Sequence, residues 1–456
     1  MVSPCSMNLE EFRVSISNGF LPDELPLQSL PSLYYSRWEE IMKDLPSLLQ
    51  GHLLRQSIDV LPILSTSNLK SEPEWRRAYV ILCFLTHSYI WGGELPSQRL
   101  PAAIAVPLSE VADHFGLPCT ATYAALNLWN YAPISPDASL SQPEKLTSLN
   151  TFTGTQDEEW FYLISVAMEA RGGSVIADMM RALDAIDRDE SGVISESLFA
   201  LAKCFQELGV LLGRMYERCD PNVFYYKIRP YLAGSRSMTV AGLPRGVYYE
   251  DGKGGGEWRQ YSGGSNAQSS LIQFFDAVLG IEHHSTGEMG LGKKTKEHSF
   301  IKNVDKKNKL MKENKEMRRY MPAPHARFLE GIPSTKLRDY VLTQAAEHDG
   351  RLAAAYDAAI ASLAAFRDTH ILIVTRYVVL PSQALRPDTH ALAPEPTTVT
   401  TTKQQEQTLN LATASLRVPA AASEKDNVAL QGTGGTSLLP FLKQTRDETR
   451  LSARVV

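Results

Sequence analysis

The chain has 456 residues, of which 43% are hydrophobic and 21% charged, and a formal net charge of −5. This composition is typical of a soluble globular protein and excludes a wholly disordered, collagen-like or coiled-coil chain. The net negative charge provides no positive field that would favour binding of nucleic acid. The five cysteines are scattered without a CxxC pair, which favours a reducing compartment.

The start of the chain, residues 1–11, lacks the basic and apolar segments of a secretory signal. Further along, no uninterrupted apolar run reaches the roughly 18 residues that a membrane-spanning helix needs. The best candidate, 353–380, is interrupted by ionisable side chains such as Arg367 and Arg376. We therefore expect a cytoplasmic protein without a membrane partner.

Apolar residues recur at spacings of three and four in most periodic stretches, which predicts helices. The N-terminal stretches are 32–50, 74–92, 106–116 and 119–131. The later ones are 158–186, 194–217, 269–279 and 336–380. Strand patterns are few and short. The sequence predicts an all-α fold with a small N-terminal helical domain (1–135), an interdomain linker (136–157) and a larger C-terminal helical domain (158–456).

Two segments of the larger domain are predicted insertions. Residues 285–316 are rich in lysine with interspersed acidic residues, which indicates a solvated loop or exposed helix, with nucleic-acid contact as the lesser alternative. Residues 381–430 are rich in proline and threonine and lack aromatic residues, which predicts a disordered loop. His283, which borders the first insertion, is expected to be exposed.

Two other motifs favour ordinary structural interpretations. Residues 187–192 match the first half of a calcium-binding loop, but Leu198 occupies the position of the bidentate glutamate, so a turn between two helices is favoured. The glycine-rich stretches 252–256 and 432–436 lack the lysine of a nucleotide-binding loop. They are expected to be flexible or to present backbone amides to an anion.

Of the ten histidines, His370 stands out because it lies on an apolar helix face between Phe366 and Ile373. This pattern alone favours a hydrogen-bonded core histidine, with a metal or haem ligand as the alternative. A haem ligand needs an apolar slot with a cation nearby for the propionates. Arg367, one turn before His370, could supply that cation.

Seven short stretches occur in a characteristic order along the chain. They are FLTHSYIWG (84–92), IRPYLAG (228–234), GGSNAQSS (263–270), FDAVLG (275–280), RRYMP (318–322), HILIVTRY (370–377) and GTGGT (432–436). Together they resemble the indoleamine 2,3-dioxygenase family of haem proteins. The lysine-rich segment at 285–316 has no counterpart in that family's pattern.

The resemblance implies a haem b cofactor with His370 as the proximal iron ligand. It places Asp276 and Arg367 on the proximal and propionate side, where they would tune and anchor the haem. It also implies that Arg229 binds the substrate carboxylate through two parallel hydrogen bonds. Ser165 corresponds to the side chain closest to dioxygen.

The remaining pocket positions also follow from the resemblance. The walls of the pocket would be formed by Tyr123, Leu126, Phe161, Tyr162, Phe224 and Tyr225. The loop beside the haem edge and the substrate ammonium would contain Gly264, Ser265 and Asn266, and Thr433 would lie in a loop that closes over the site. Leu126, Asn127 and Asn266 depart from the family's usual residues, which affects the expected substrate preference.

The implied reaction is cleavage of the indole C2–C3 bond of L-tryptophan by dioxygen to give N-formyl-L-kynurenine, the first step of the kynurenine route towards NAD. The implied partners are L-tryptophan, dioxygen and a cellular reductant, with no nucleic acid and no membrane, and the protein is expected to be a monomer. One alternative is a haem protein that binds dioxygen or another ligand with little turnover. Another is a helical interaction protein without haem, in which His370 would be a core residue.

Overall fold

The computed structural model describes residues 7–283, 316–346, 350–383 and 438–453. Most of each predicted insertion, 285–316 and 381–430, therefore lies outside the described residues. The same is true of Thr433 and of the glycine-rich stretch 432–436.

Helices form most of the described chain, which confirms the predicted all-α class. The N-terminal part contains α1 (Ser36–Lys43), α2 (Leu45–Gln50), α3 (Leu54–Asp59), α4 (Glu72–Trp91) and α5 (Ala102–Phe115). The later part contains α6 (Gln156–Gly173), α7 (Ile176–Ile186), α8 (Ser191–Gly213), α9 (Met215–Arg218), α10 (Pro221–Val223), α11 (Ser270–Leu279), α12 (Ala323–Gly331), α13 (Lys336–Ala346), α14 (Gly350–Val374), α15 (Leu380–Gln383) and α16 (Leu438–Ser452).

Single turns of other helix types connect these elements. The π-helical turns are Ala124–Leu128, Phe224–Ile228 and Thr375–Val379. The 3-10 turns are Leu9–Phe12, Leu33–Tyr35, Thr66–Asn68, Pro143–Lys145, Arg229–Leu232, Thr239–Ala241 and Asn266–Gln268.

Several helix bounds differ from the predicted ones. The stretch 32–50 is divided between a 3-10 turn, α1 and α2, because Pro46 has no amide proton with which to continue α1. Helix α5 begins before the predicted start and holds Pro107 in its interior. In 119–131, where periodicity predicts an α-helix, the structure has only the π-helical turn Ala124–Leu128.

The later part of the chain is organised around α8 and α14, which pack against each other along their lengths. Small side chains between Ala353 and Ala365 allow this close approach. Helices α6 and α7 cover α8, while α16 packs on α14. In the N-terminal part α4 is the central helix, and every residue from Arg77 to Trp91 is buried.

Short strands link regions that are distant in sequence. Strands β4 (Val247–Glu250) and β5 (Gly256–Arg259) form a hairpin around the glycine-rich turn, and β1 (Arg99–Leu100) adds to β4 in parallel. Strand β2 (Tyr131–Pro133) pairs antiparallel with β3 (Leu146–Ser148), so the predicted linker 136–157 contains a strand. The β1–β4 pairing fastens the N-terminal part to the later part.

Residues Gly350–Gln383 are long and apolar enough to cross a membrane by length and composition alone. However, 56% of the most apolar window is buried within the protein. This burial is typical of the core helix of a globular domain, and α14 has that position against α8.

The stretch that resembles a calcium-binding loop is a turn between α7 and α8, as favoured from the sequence. Its carboxylates bind α13: Asp187 forms an ion pair with Lys336 at 2.7 Å, and Tyr340 donates a hydrogen bond to Asp189 at 2.6 Å. The acidic side chains therefore fasten the α7–α8 turn to α13.

Two backbone segments near the centre of the fold touch at a pair of glycines. A Cβ on Gly263 would overlap the carbonyl oxygen of Leu232 and the amide nitrogen of Gly234. We expect Gly263→Ala to destabilise the protein by about 1–3 kcal/mol, since backbone atoms on both sides must move. The free energy of unfolding from denaturant titration checks this value.

Gly209→Ala is the matched control, because Gly209 lies inside α8 with no atom within 4 Å of an added Cβ. This variant should be more stable than the wild type by about 0.5–1 kcal/mol. Equal effects of the two substitutions would contradict the close approach at Gly263.

Candidate functional site

A cavity of about 610 Å³ lies between the N-terminal part and the helices of the later part. Its walls come from α6, α11, α14, α16, the three π-helical turns and the loop that follows β5. The cavity brings together the predicted site residues Tyr123, Leu126, Phe161, Ser165, Phe224, Arg229, Gly264, Ser265, Asn266, Asp276, Arg367 and His370.

Each π-helical turn contributes side chains to this cavity. The first provides Leu126 and Asn127, the second begins with Phe224, and the third provides Tyr377 and Val378. A π-helical turn holds an extra residue and redirects the side chains that follow, and such turns are frequent at functional sites. Apolar periodicity does not predict them.

His370 faces the cavity from α14, and no hydrogen bond to its ring is made by the described residues. Burial and the nearby positive charge of Arg367 lower the pKa of His370 to about 4. The imidazole is therefore neutral at neutral pH and has a nitrogen lone pair available to a metal.

His87 shows what a core histidine looks like in the same fold. Its Nδ1 donates to the carbonyl of Tyr231 at 2.6 Å, and its Nε2 accepts from the amide of Ala121 at 3.0 Å. Both ring nitrogens are thus bonded within the protein. The contrast favours the ligand interpretation of His370 over the core interpretation.

Beside His370 lies a buried network of charged side chains. Arg367 donates to Asp276 Oδ1 at 2.5 Å, and His283 lies 3.0 Å from Asp276 Oδ2. Burial opposes the charged form of Asp276, but Arg367 and His283 outweigh this effect and lower its pKa. The expectation that His283 is exposed is wrong: its side chain is only 10% exposed and lies between Asp276 and Glu448.

Aromatic side chains form another wall. The rings of Phe161 and Phe224 are 5.0 Å apart, and Phe224 meets Tyr377 edge-on at 5.7 Å. Phe161 is placed by α6 and Phe224 by the π-helical turn that follows α10. Such a cluster provides flat apolar surfaces on which an indole ring can pack.

Arg229 brings a positive charge into this apolar surrounding. It follows the second π-helical turn, is only 4% exposed, and its guanidinium lies 5.3 Å from the ring centre of Tyr225. Burial lowers the pKa of Arg229, although the side chain remains a cation at neutral pH. A buried guanidinium that lines a cavity is suited to bind a carboxylate ligand.

Two of the predicted pocket residues do not line the cavity. Tyr162 points away from it and donates a hydrogen bond to Glu158 Oε1 at 2.8 Å. Tyr225 is fully buried and supports Arg229 from behind. A third, Thr433, lies outside the described residues.

A buried carboxyl group that was not predicted, Glu169, lies in the cavity wall one helical turn after Ser165. Ser269 donates to Glu169 Oε1 at 2.6 Å, while Oε2 has no hydrogen-bond partner among the described residues. Burial raises the pKa of Glu169 to about 7, although the hydrogen bond from Ser269 offsets part of this effect. The spacing of four from Ser165 could have indicated this residue, since both lie on one helix face.

The loop after β5 borders the cavity at Leu126. A Cβ on Gly264 would meet the side chain of Leu126, so glycine allows this contact. Ser265 caps the 3-10 turn Asn266–Gln268 by accepting from the amide of Ala267. Asn127 donates to the carbonyl of Tyr123 at 3.3 Å.

These residues fit a haem better than a bare metal ion. The cavity volume is within the roughly 300–1,000 Å³ of cofactor sites, and its walls are mainly apolar. His370 offers a single neutral nitrogen, with Arg367 as a cation one turn away. Within the described ranges, no group of three His, Cys, Asp or Glu side chains is arranged to hold a metal ion.

Comparison with known proteins gives a consistent result along almost the whole chain. The profile of the family described as indoleamine 2,3-dioxygenase matches residues 8–452. The indoleamine 2,3-dioxygenase of Saccharomyces cerevisiae is 40% identical, over 98% of this chain and 94% of its own. The indoleamine 2,3-dioxygenase qulI of Penicillium citrinum is 38% identical, over 97% and 88%. The 6-hydroxytryptophan 2,3-dioxygenase fscD of Fusarium equiseti is 34% identical, over 97% and 96%.

The raised pKa of Glu169 predicts a carboxyl group that is partly protonated at neutral pH. Infrared spectra should show a carboxylic-acid C=O band that disappears as the pH rises through about 7. Glu169→Gln should remove this band, and Glu159→Gln, an exchange on the same helix, should leave it unchanged. A band that persists in Glu169→Gln would show that another group holds the proton.

Proposed function

The chain belongs to the indoleamine 2,3-dioxygenase family, and we propose that it cleaves the indole C2–C3 bond of L-tryptophan with dioxygen to give N-formyl-L-kynurenine. Haem b, when bound, supplies the activation of dioxygen. The observation that carries this proposal is that His370 and the buried cation Arg229 line one apolar cavity. Such a site can hold a haem and an amino-acid carboxylate together.

His370 would hold the haem iron through its neutral imidazole. Arg367 is fixed by Asp276 on one side and by Thr449 on the other, so its guanidinium has a defined position near His370. This arrangement supports a role for Arg367 beside the haem propionates. Asp276 would orient Arg367, since one of its carboxylate oxygens accepts from that side chain.

Arg229 would bind the carboxylate of L-tryptophan. Burial of Arg229 excludes most water from around its guanidinium, which strengthens its attraction to an incoming carboxylate. The ring of Tyr225 supports the guanidinium from one side. Ser265 and Asn266, on the loop that lines the cavity, would face the substrate ammonium.

The aromatic wall would orient the indole. Phe161 and Phe224 provide adjoining apolar surfaces, and Tyr123 closes the side contributed by the N-terminal part. Ser165, on the same face of α6 as Phe161, would place its hydroxyl near the reacting ring. Together these residues would hold the C2–C3 edge in one orientation and exclude water.

A haem protein that binds dioxygen with little tryptophan turnover is the rival function. A gas ligand has no carboxylate and does not need a buried guanidinium in its cavity. Arg229 therefore favours the enzyme. One relative is by name a 6-hydroxytryptophan dioxygenase. We propose the unsubstituted amino acid for this chain because the two relatives of higher identity named above are indoleamine 2,3-dioxygenases.

The cellular setting is also part of the proposal. We propose a cytoplasmic monomer that depends on a cellular reductant to keep the iron ferrous and needs neither a membrane nor nucleic acid. Residues 1–135 would form the domain that closes the cavity with Tyr123 and Leu126, and 136–157 would link it to the haem domain 158–456.

Arg229→Ala should weaken L-tryptophan binding by about 1.5–3 kcal/mol, because the carboxylate loses a charge-assisted partner. Tryptamine has the same ring and ammonium but no carboxylate, so its affinity should change little. Titration of the haem absorbance with both ligands measures the difference. Lys227→Ala, an exposed neighbour on the same π-helical turn, is the control. Equal losses for both ligands would remove Arg229 from the carboxylate site.

His370→Ala should abolish stable haem incorporation. Among the described residues, the other histidine that lines the cavity, His283, has both ring nitrogens bonded to carboxylates and cannot replace it. Absorbance spectra of the purified protein measure haem content, and added imidazole should restore part of it by occupying the vacated position. His52→Asn is the control, since His52 is exposed and its left-handed backbone (φ 56°) suits asparagine. Normal haem content in His370→Ala would refute the ligand assignment.

A further inference from the structure

The buried charged network includes a histidine that the proposed reaction does not use. His283 follows α11, and its two ring nitrogens face carboxylates from different elements: Nε2 lies 3.0 Å from Asp276 and Nδ1 lies 2.8 Å from Glu448. Asp276 belongs to α11, whereas Glu448 belongs to the C-terminal helix α16. We propose that His283 is a positioning residue: it fastens α16 to the cavity wall formed by α11 and α14, and so retains the haem.

The geometry requires a charged ring. Ionised carboxylates only accept hydrogen bonds, and a neutral imidazole has a single N–H to donate. His283 can therefore bond both Asp276 and Glu448 only when both ring nitrogens carry protons. Burial by itself would lower the pKa of His283, but Asp276 and the hydrogen bonds to both carboxylates raise it to about 9.

The charges in this network balance. Two carboxylates, Asp276 and Glu448, face two cations, Arg367 and His283, and their side chains are between 6% and 16% exposed. Removing one cation leaves a buried carboxylate without compensation, which is far more damaging than breaking a surface ion pair. His283 thus compensates the charge of Glu448 and holds the two acidic side chains in place.

The network connects α16 to the helix that carries His370. Arg367 on α14 donates to Thr449 and, at 3.4 Å, to the carbonyl of Thr445 on α16. Asp368, the next residue on α14, forms ion pairs with Arg446 and Arg450. Four residues of α16 also line the cavity: Leu438, Phe441, Leu442 and Thr445. Loosening α16 would therefore open the cavity wall beside His370.

The first test uses the protein without haem, so it does not depend on the proposed function. In His283→Gln the amides of α16 should exchange with deuterium at least about tenfold faster, while those of α4 stay protected. Leu183→Ala, a buried residue of α7 away from the cavity, is a control that destabilises the fold without touching this network. Unchanged exchange in α16, or an equal effect of Leu183→Ala, would overturn the proposal.

The second test measures haem retention, and this arm rests on the proposed function. Haem transfer from His283→Gln to an excess of apoglobin should be about 10–100-fold faster than from the wild type. Adding Glu448→Gln to His283→Gln should slow the transfer again, because the uncompensated carboxylate is removed. Unchanged transfer in His283→Gln, or no recovery in the double variant, would contradict the positioning role.

The pH dependence distinguishes this role from simple packing. A histidine whose pKa is raised on folding contributes stability in full below its unfolded value of 6.5 and loses it as the pH rises through about 9. Haem transfer from the wild type should therefore accelerate between pH 8 and 10, and transfer from His283→Gln should not. The charged groups that face His283 are Asp276, Glu448 and Arg367. A wild type that binds no haem would refute the proposed function and leave the exchange test decisive.

Discussion

A positive charge inside an apolar cavity is the constraint on which the site depends. Arg229 is almost completely buried, and water, which would otherwise solvate a guanidinium, is largely excluded there. The fold holds Arg229 by placing it directly after a π-helical turn and against the ring of Tyr225. The same exclusion of water strengthens the attraction between Arg229 and a carboxylate. The cavity therefore favours ligands that carry a carboxylate group.

Charged side chains are arranged differently beside His370. There the cations Arg367 and His283 are matched by Asp276 and Glu448, and the network is neutral as a whole. His370 stands beside this network as a neutral base, because burial and Arg367 lower its pKa. The cavity thus contains a neutral imidazole beside a balanced ion network, together with the buried guanidinium of Arg229. This combination suits a site that binds a haem and an anionic group at once.

The sequence predicted the fold class, and most of the predicted pocket residues line the cavity, but for different reasons. Helices such as α4 and α8 follow from apolar periodicity, because their buried faces are continuous. Periodicity could not distinguish His370 as a ligand from a core histidine such as His87, since that difference depends on hydrogen bonds to distant backbone atoms. Arg229 was found only through the resemblance. The π-helical turns were missed because they leave no periodic signal. Glu169 was missed because its spacing from Ser165 shows a shared helix face but not that this face borders a cavity.

His283 shows most clearly what local sequence cannot provide. Its position next to a lysine-rich segment predicts an exposed side chain. The structure instead buries His283 against Glu448, which lies 165 residues further along the chain. Burial of His283 is favourable only because α16 lies against the end of α11, where Glu448 accepts a hydrogen bond from the histidine ring. A charged residue in a polar segment can thus belong to the core when a distant element supplies the opposite charge. The C-terminal helix is for this reason part of the site, although it contributes neither the iron ligand nor the substrate cation.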